Sequence, residues 1–213
     1  MSPQLQTLPH LVVEADNELL PLEELRTLWA VRVQQRLSLP TLCELTFIEP
    51  TVALTRTEIF SPGSHIRISV PGFEEVLFSG QVTAIEHIYE PSHGREIRIR
   101  GYDTLHRLRK RQPVRAHVEM SLVDLISEIV ADLGVTVEAA VAGPKWQRLV
   151  QFRQSDFEII AEVAERAGLY FTLRDDTLHV LTLAGIGEDV TLQTIQRAPG
   201  QAAGHVRQEI IPR

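Results

Sequence analysis

The sequence predicts an α+β fold that is mostly β: a β-barrel or sandwich, then a small α/β domain with two helices. Three observations predict it. Residues 1–103 hold several short alternating stretches separated by turns rich in Gly and Pro. Residues 104–183 hold two apolar stripes at helical spacing, each opened by a serine and closed by a glycine, beside short strands. Residues 184–213 are Gly-, Gln- and Ala-rich with only Asp189–Ile195 strand-like, too little to bury a core alone. That last segment reads as a tail or as the start of a second barrel.

Within the first part, residues 10–14 form a short strand and Ala15–Glu18 the turn after it. Trp29, Val31 and Val33 alternate with Ala30, Arg32 and Gln34, which predicts a half-buried strand rather than a helix. Pro40 breaks it, and Leu42–Ile48 alternates again. Glu49–Glu58 is a polar connection leading to the turn Phe60-Ser-Pro-Gly-Ser. Strands are expected at His65–Val70, Glu75–His87 and Glu96–Tyr102.

In the second part, Asp103–Arg111 predicts one or two helical turns with Leu105 and Leu108 turned inward. A strand follows at Val114–Val118. Ser121 with Asp124 and Ser155 with Glu158 form capping boxes, in which each side chain satisfies a free N–H of the other residue. The helices then run to Gly134 and Gly168. The two serines are 34 residues apart, the period of tetratricopeptide repeats. The strand-like residues between them and the missing aromatic and proline positions exclude that repeat. Leu169–Leu173 and Thr177–Leu183 form a hairpin.

Candidate chemistry is sparse. One cysteine, Cys43, excludes an internal disulfide and a multi-cysteine metal site, and its strand context predicts a buried structural thiol. Asp103, His106, His87 and His93 match no metal-ligand spacing. Ser155, Asp156 and His179 contain the residue types of a triad, but Ser155 is already committed as a cap. No glycine-rich phosphate loop occurs. Neither a catalytic residue, a metal nor a cofactor is expected. No apolar run is long enough to span a bilayer, and the N-terminus lacks the features of a secretory signal, so assembly in the cytoplasm is expected.

The net charge of −7 is unevenly spread. Residues 95–115 carry eight Lys/Arg against two acids, about +6, which leaves about −13 elsewhere. The Arg98–Arg115 run is the candidate for a nucleic-acid-associated binding module, the alternative reading of function. Only Tyr102 supplies the aromatic interleaving such surfaces use, so a solvated or interface face is expected instead.

Four motifs, in order, carry a resemblance. They are Leu77-Phe-Ser-Gly-Gln-Val (Phe78, Gly80), Gly101-Tyr-Asp-Thr-Leu-His-Arg-Leu (Tyr102, Asp103), Ser121-Leu-Val-Asp-Leu-Ile, and the long stretch from Val150 to Phe171 (Gln151, Ser155, Asp156, Gly168). Residues 11–183 thereby resemble the baseplate hubs of contractile injection systems: the phage late control D proteins and the N-terminal part of the type VI spike protein VgrG. The resemblance implies a structural hub in a phage tail, type VI apparatus or extracellular injection particle, and no enzyme. It implies a homotrimer that joins the tail tube to the central spike, with tail tube, spike-tip and baseplate proteins as partners. The strands of residues 10–103 would form a tube-like barrel and residues 104–183 an α/β domain decorating it. The hubs continue with a second barrel, which residues 184–213 would begin.

Overall fold

The computed structural model describes residues 11–184 except 57, 73–75 and 91–93. The segment 185–213, read above as a tail or second barrel, lies outside the described residues, as does His93.

The first sheet is built from β1 (Val12–Ala15), β2 (Glu18–Leu19), β3 (Leu28–Gln34), β4 (Leu42–Ile48), β5 (His65–Ser69), β6 (Val76–Glu90) and β7 (Gly94–Tyr102). Their order is β2-β1-β5-β6-β7-β4-β3, antiparallel throughout. Asp16 and Asn17, both at positive φ, make the two-residue turn between β1 and β2. Alternation along β4 is complete: Cys43, Leu45 and Phe47 are fully buried and their neighbours half-buried. They meet Ile97 and Ile99 of β7, Ile66 and Ile68 of β5, and Phe78 and Val82 of β6 in one core. Each such side chain contributes roughly 1.5–3 kcal/mol on burial.

The edge strands β2 and β3 are neighbours in sequence, and this forces the sheet to curl. Seven flat strands would set the edges about 29 Å apart. The nine steps from Leu19 to Leu28 reach about 30 Å only when fully extended. A turn of helix, α1 (Leu22–Leu25), occupies four of those residues at about 1.5 Å each. The result is a curled half-barrel. Leu20 and Leu25 of the link enter its core, and the buried Glu24 accepts a hydrogen bond from the Thr51 hydroxyl. Thr51 itself caps α2 (Val52–Thr55) by accepting from Leu54 N.

Neither single-turn helix is legible in the sequence. Four residues carry too little periodicity to register, and tertiary contacts hold them. The strand expected around Trp29 is present as β3, but Trp29 does not share the face of Val31 and Val33. A register shift between Leu28 and Ala30 turns Trp29 outward, 72% exposed. A bulge inserts one residue and inverts the alternation locally.

The second part contains a 3-10 helix (Thr104–Lys110), β8 (Arg115–Ser121), α3 (Leu122–Val130), β9 (Thr136–Ala139), β10 (Lys145–Gln151), α4 (Asp156–Ala167), β11 (Tyr170–Arg174) and β12 (Thr177–Leu181). β8 and β10 pair as an antiparallel ribbon. β11 and β12 form the expected hairpin, and β9 joins β12 in parallel, a pairing that no local pattern in the sequence signals. Leu105, Leu108, the inward faces of α3 and α4, and Phe171, Leu178 and Val180 form a second buried cluster. Both capping boxes are present. The expected stop at Gly134 is displaced: α3 ends at Val130 and a turn closed by Leu133 N to Val130 O precedes the glycine. Beyond Val130, Asp132 pairs with Arg111 at 2.8 Å.

The β3–β4 connection ties the two parts. Ser38 N donates to Phe171 O at 2.7 Å, and the Gln35 amide donates to Thr172 Oγ1 and Leu173 O.

Candidate functional site

The family-type motifs identified in the sequence occupy the joints of the fold. Phe78 is buried on β6, and its ring lies over Gly80 two residues on. A Cβ at Gly80 would fall 2.3 Å from the Tyr102 carbonyl oxygen and 2.6 Å from the Phe78 ring. A Cβ at Gly101 would have more room, 3.0 Å from Gln81 O and 3.4 Å from the same ring. The glycines therefore let β6 and β7 close over a phenylalanine.

Tyr102 is half-buried, with the Arg109 guanidinium 5.6 Å from its ring centre. Arg109 also stands 5.1 Å over Phe157 of α4. Asp103 is buried, and its carboxylate accepts from Thr41 N at 2.6 Å and from Leu105 N at 3.0 Å. Thr41 O returns the bond by accepting from Asp103 N. One aspartate thus fastens the start of β4 to the cap of the 3-10 helix. Burial pushes its carboxyl above the ordinary value, opposed by the N–H donors of Thr41 and Leu105.

A second joint centres on Asp156, at the first turn of α4. Gln151 Nε2 donates to Asp156 Oδ1 at 2.9 Å and also to Gln154 O. The Arg111 guanidinium lies 3.2 Å from Asp156 Oδ2, an ion pair whose N–H is not aligned for a hydrogen bond. Arg111 reaches further: Asp132 accepts two hydrogen bonds from it, each 2.8 Å, and Ile129 O accepts a third. Its own carbonyl accepts from Asp156 N. Arg111 therefore binds the end of α3 to the beginning of α4. By sequence Arg111 belongs to a basic run expected at a solvated or interface face. The available signal was Asp156 itself, an acid beside a capping box that already had its acid.

None of these groups is arranged for catalysis. The Ser155 hydroxyl accepts from Glu158 N and donates to Glu158 Oε2, so it is spent in its own helix start. His179 faces Glu138 of β9 at 3.5 Å. His106 Nδ1 contacts the Asp103 carbonyl rather than its carboxylate, and His87 lies exposed on β6. Among the described residues no group of three His, Cys, Asp or Glu side chains is placed to hold a metal. Gly168, at φ +67°, closes α4: its N–H reaches Glu165 O and that of Leu169 reaches Ala164 O, the paired bonds of a Schellman ending.

Half of the eight basic residues in 95–115 are paired from within. Arg95 pairs with Glu49, Arg98 with Glu96, Arg100 with Glu44 and Glu86, and Arg111 with Asp132 and Asp156.

With these joints in place, the family model described as phage tail baseplate hub (GPD) matches residues 34–208. The chain belongs to the phage tail baseplate hub family. Its fold is similar to the 43 kDa tail protein of prophage MuSo2 from Shewanella oneidensis, with a TM-score of 0.61 at 16% identity over 81% of this chain and 55% of that one. A tail protein of Neisseria meningitidis gives 0.56 at 16% identity over 80% and 50%. An Escherichia coli protein, described as a type VI secretion component with structural similarity to T4 tail proteins, gives 0.55 at 11% over 84% and 47%. At these identities the likeness is one of fold. No curated protein sequence matches significantly. This hub chain spans about half the length of those solved structures. Its fold is thus shared with phage tail proteins and with a type VI secretion component. No helix among the described residues is long and apolar enough to cross a membrane.

Proposed function

We propose that this hub protein joins the tail tube to the central spike of a contractile injection machine, and that it does so as a homotrimer. The observation that carries the reading is the family match over residues 34–208, on a chain whose first sheet curls into a half-barrel. Residues 1–103 would supply a tube-like surface to the tail tube protein. Residues 104–183 would decorate it and face spike-tip and baseplate proteins. Two separate buried clusters, one on each side of Asp103, support that division. Assembly is expected in the cytoplasm, before the particle acts.

The role is mechanical. Force passing from tube to spike would cross the joints at Asp103 and Arg111, whose hydrogen bonds and ion pairs tie neighbouring elements. The motif residues Phe78, Gly80, Tyr102, Asp103, Gln151, Ser155, Asp156 and Gly168 would act as such joints and closures. The nucleic-acid reading of Arg98–Arg115 is weakened because three of its seven basic residues, Arg98, Arg100 and Arg111, are already paired with carboxylates.

Native mass measurement tests the proposal. The full protein should be trimeric or co-purify with tube and spike proteins, and should show no salt-dependent binding to DNA or RNA. A monomer that binds no tail component overturns it.

A further inference from the structure

The β8–β10 ribbon turns an apolar face outward. Leu149 and the buried residues His117 and Gln151 point one way. On the other face Val118 is 64% exposed and Val150 54%, and Val150 stands opposite Ala116 in the register. One step beyond the paired residues Arg115 and Gln151 are Val114 and Phe152, 74% and 59% exposed. These four side chains continue one another across two strands, an arrangement that a surface in permanent contact with water rarely keeps. Two arginines flank the patch: Arg148 lies opposite Val118, and the Arg153 guanidinium stands 5.3 Å from the Phe152 ring centre. Neither arginine has an ion-pair partner among the described residues.

The opposite chemistry occurs at the seam of the half-barrel. From Glu14 to Glu24 the chain holds five acids and no lysine or arginine. Glu18 and Glu23 are exposed and without ion pairs among the described residues. Between them Leu19 and Leu22 are 67% and 65% exposed. This is an apolar pair flanked by negative charge, matching an apolar face flanked by positive charge.

We propose that the ribbon face of one protomer docks on the Glu18–Glu23 seam of the next. Such a contact joins two different surfaces of one chain, so it repeats head to tail and closes into a ring when the rotation permits. The apolar residues supply the buried centre and the charges the register and the approach. The inference rests on the homotrimer proposed above and names the surfaces that would form it.

Oligomeric state across a dilution series of the full protein tests it, with circular dichroism to confirm folding. Val150→Asp alters an exposed side chain and should weaken association by about 30-fold or more, as loss of a central contact does. Glu18→Arg with Glu23→Arg should weaken it too, and so should Arg148→Glu with Arg153→Glu. Combining the two charge reversals in one chain should restore the trimer, which a mere loss of solubility or folding would not. A wild-type trimer left unchanged by all these variants, because another tail protein or residues 185–213 cover the ribbon, overturns this inference alone. A wild-type monomer at every concentration overturns the trimer reading as well.

Discussion

Asp156 is completely buried, and the guanidinium of Arg111, 45 residues earlier, lies 3.2 Å from it. The pair sits where two helices meet, and each partner is further tied, Asp156 to Gln151 and Arg111 to Asp132 and Ile129. A buried charge of this kind adds little net stability against an apolar substitute. It becomes costly once a single partner is removed.

Arg111→Ala should therefore destabilise the protein by about 3 kcal/mol or more, because the buried Asp156 loses the cation beside it. Asp156→Ala should cost a similar amount, and the double variant clearly less than the sum. Urea unfolding of the four proteins of the cycle measures the coupling, and additive losses would show that the pair does not act as a unit.

Gly80→Ala should destabilise by about 1–3 kcal/mol, because the new methyl meets a backbone carbonyl that can move only with β7. Gly63→Ala should also destabilise, but for another reason. Nothing lies within 4 Å of its Cβ position, and the strain of φ +98° alone opposes it. Adding Phe78→Leu, which removes the ring 2.6 Å from the new methyl, should recover part of the loss for Gly80→Ala and none for Gly63→Ala, as read by thermal melting.

Two kinds of carboxyl give opposite pH slopes. Hydrogen bonds from the Ser155 backbone and hydroxyl hold Glu158 below its ordinary value, and those of Ser121 do the same for Asp124. Their contribution is present above about pH 4–5 and fades as pH falls through the lowered folded values. Burial raises Asp103, so its ionisation costs stability as pH rises from about 4 through the raised folded value, and the cost is relieved in acid. Glu158→Gln should consequently lower the melting temperature at pH 7 and lose that effect at acid pH. A constant difference between the two proteins across pH would show that the carboxylate charge plays no part.

Cys43 is fully buried, and burial pushes its thiol up to about 12, with Glu44 adding to the shift. Ellman's reagent should leave the folded protein unmodified at pH 8 and titrate one thiol after denaturation. Rapid reaction without denaturant would contradict the packing of β4.

Much of this was legible before any coordinates. The alternation of β4, the paired capping boxes and the αL glycine after Ala167 are local patterns, set by residues within a turn or two of each other. The one-turn helices were not legible, because Glu24 and Thr51 meet across 27 residues. Nor was the outward turn of Trp29, since a bulge is set by the partner strand and not by the strand's own pattern.

The order of four motifs by itself determined the hub family, and local chemistry determined most elements. Tertiary structure alone decided how a basic run is spent. Arg98 and Arg100 sit on strand faces beside Glu96 and Glu44, while Arg111 turns inward to Asp156. Sequence records charge, but whether a charge meets water, a neighbour in the next strand or a carboxylate under a helix depends on distances that only folding creates. The same holds for the ribbon face at Val118 and Val150: its alternation reads as an ordinary strand, and only the paired register shows two apolar rows facing outward together.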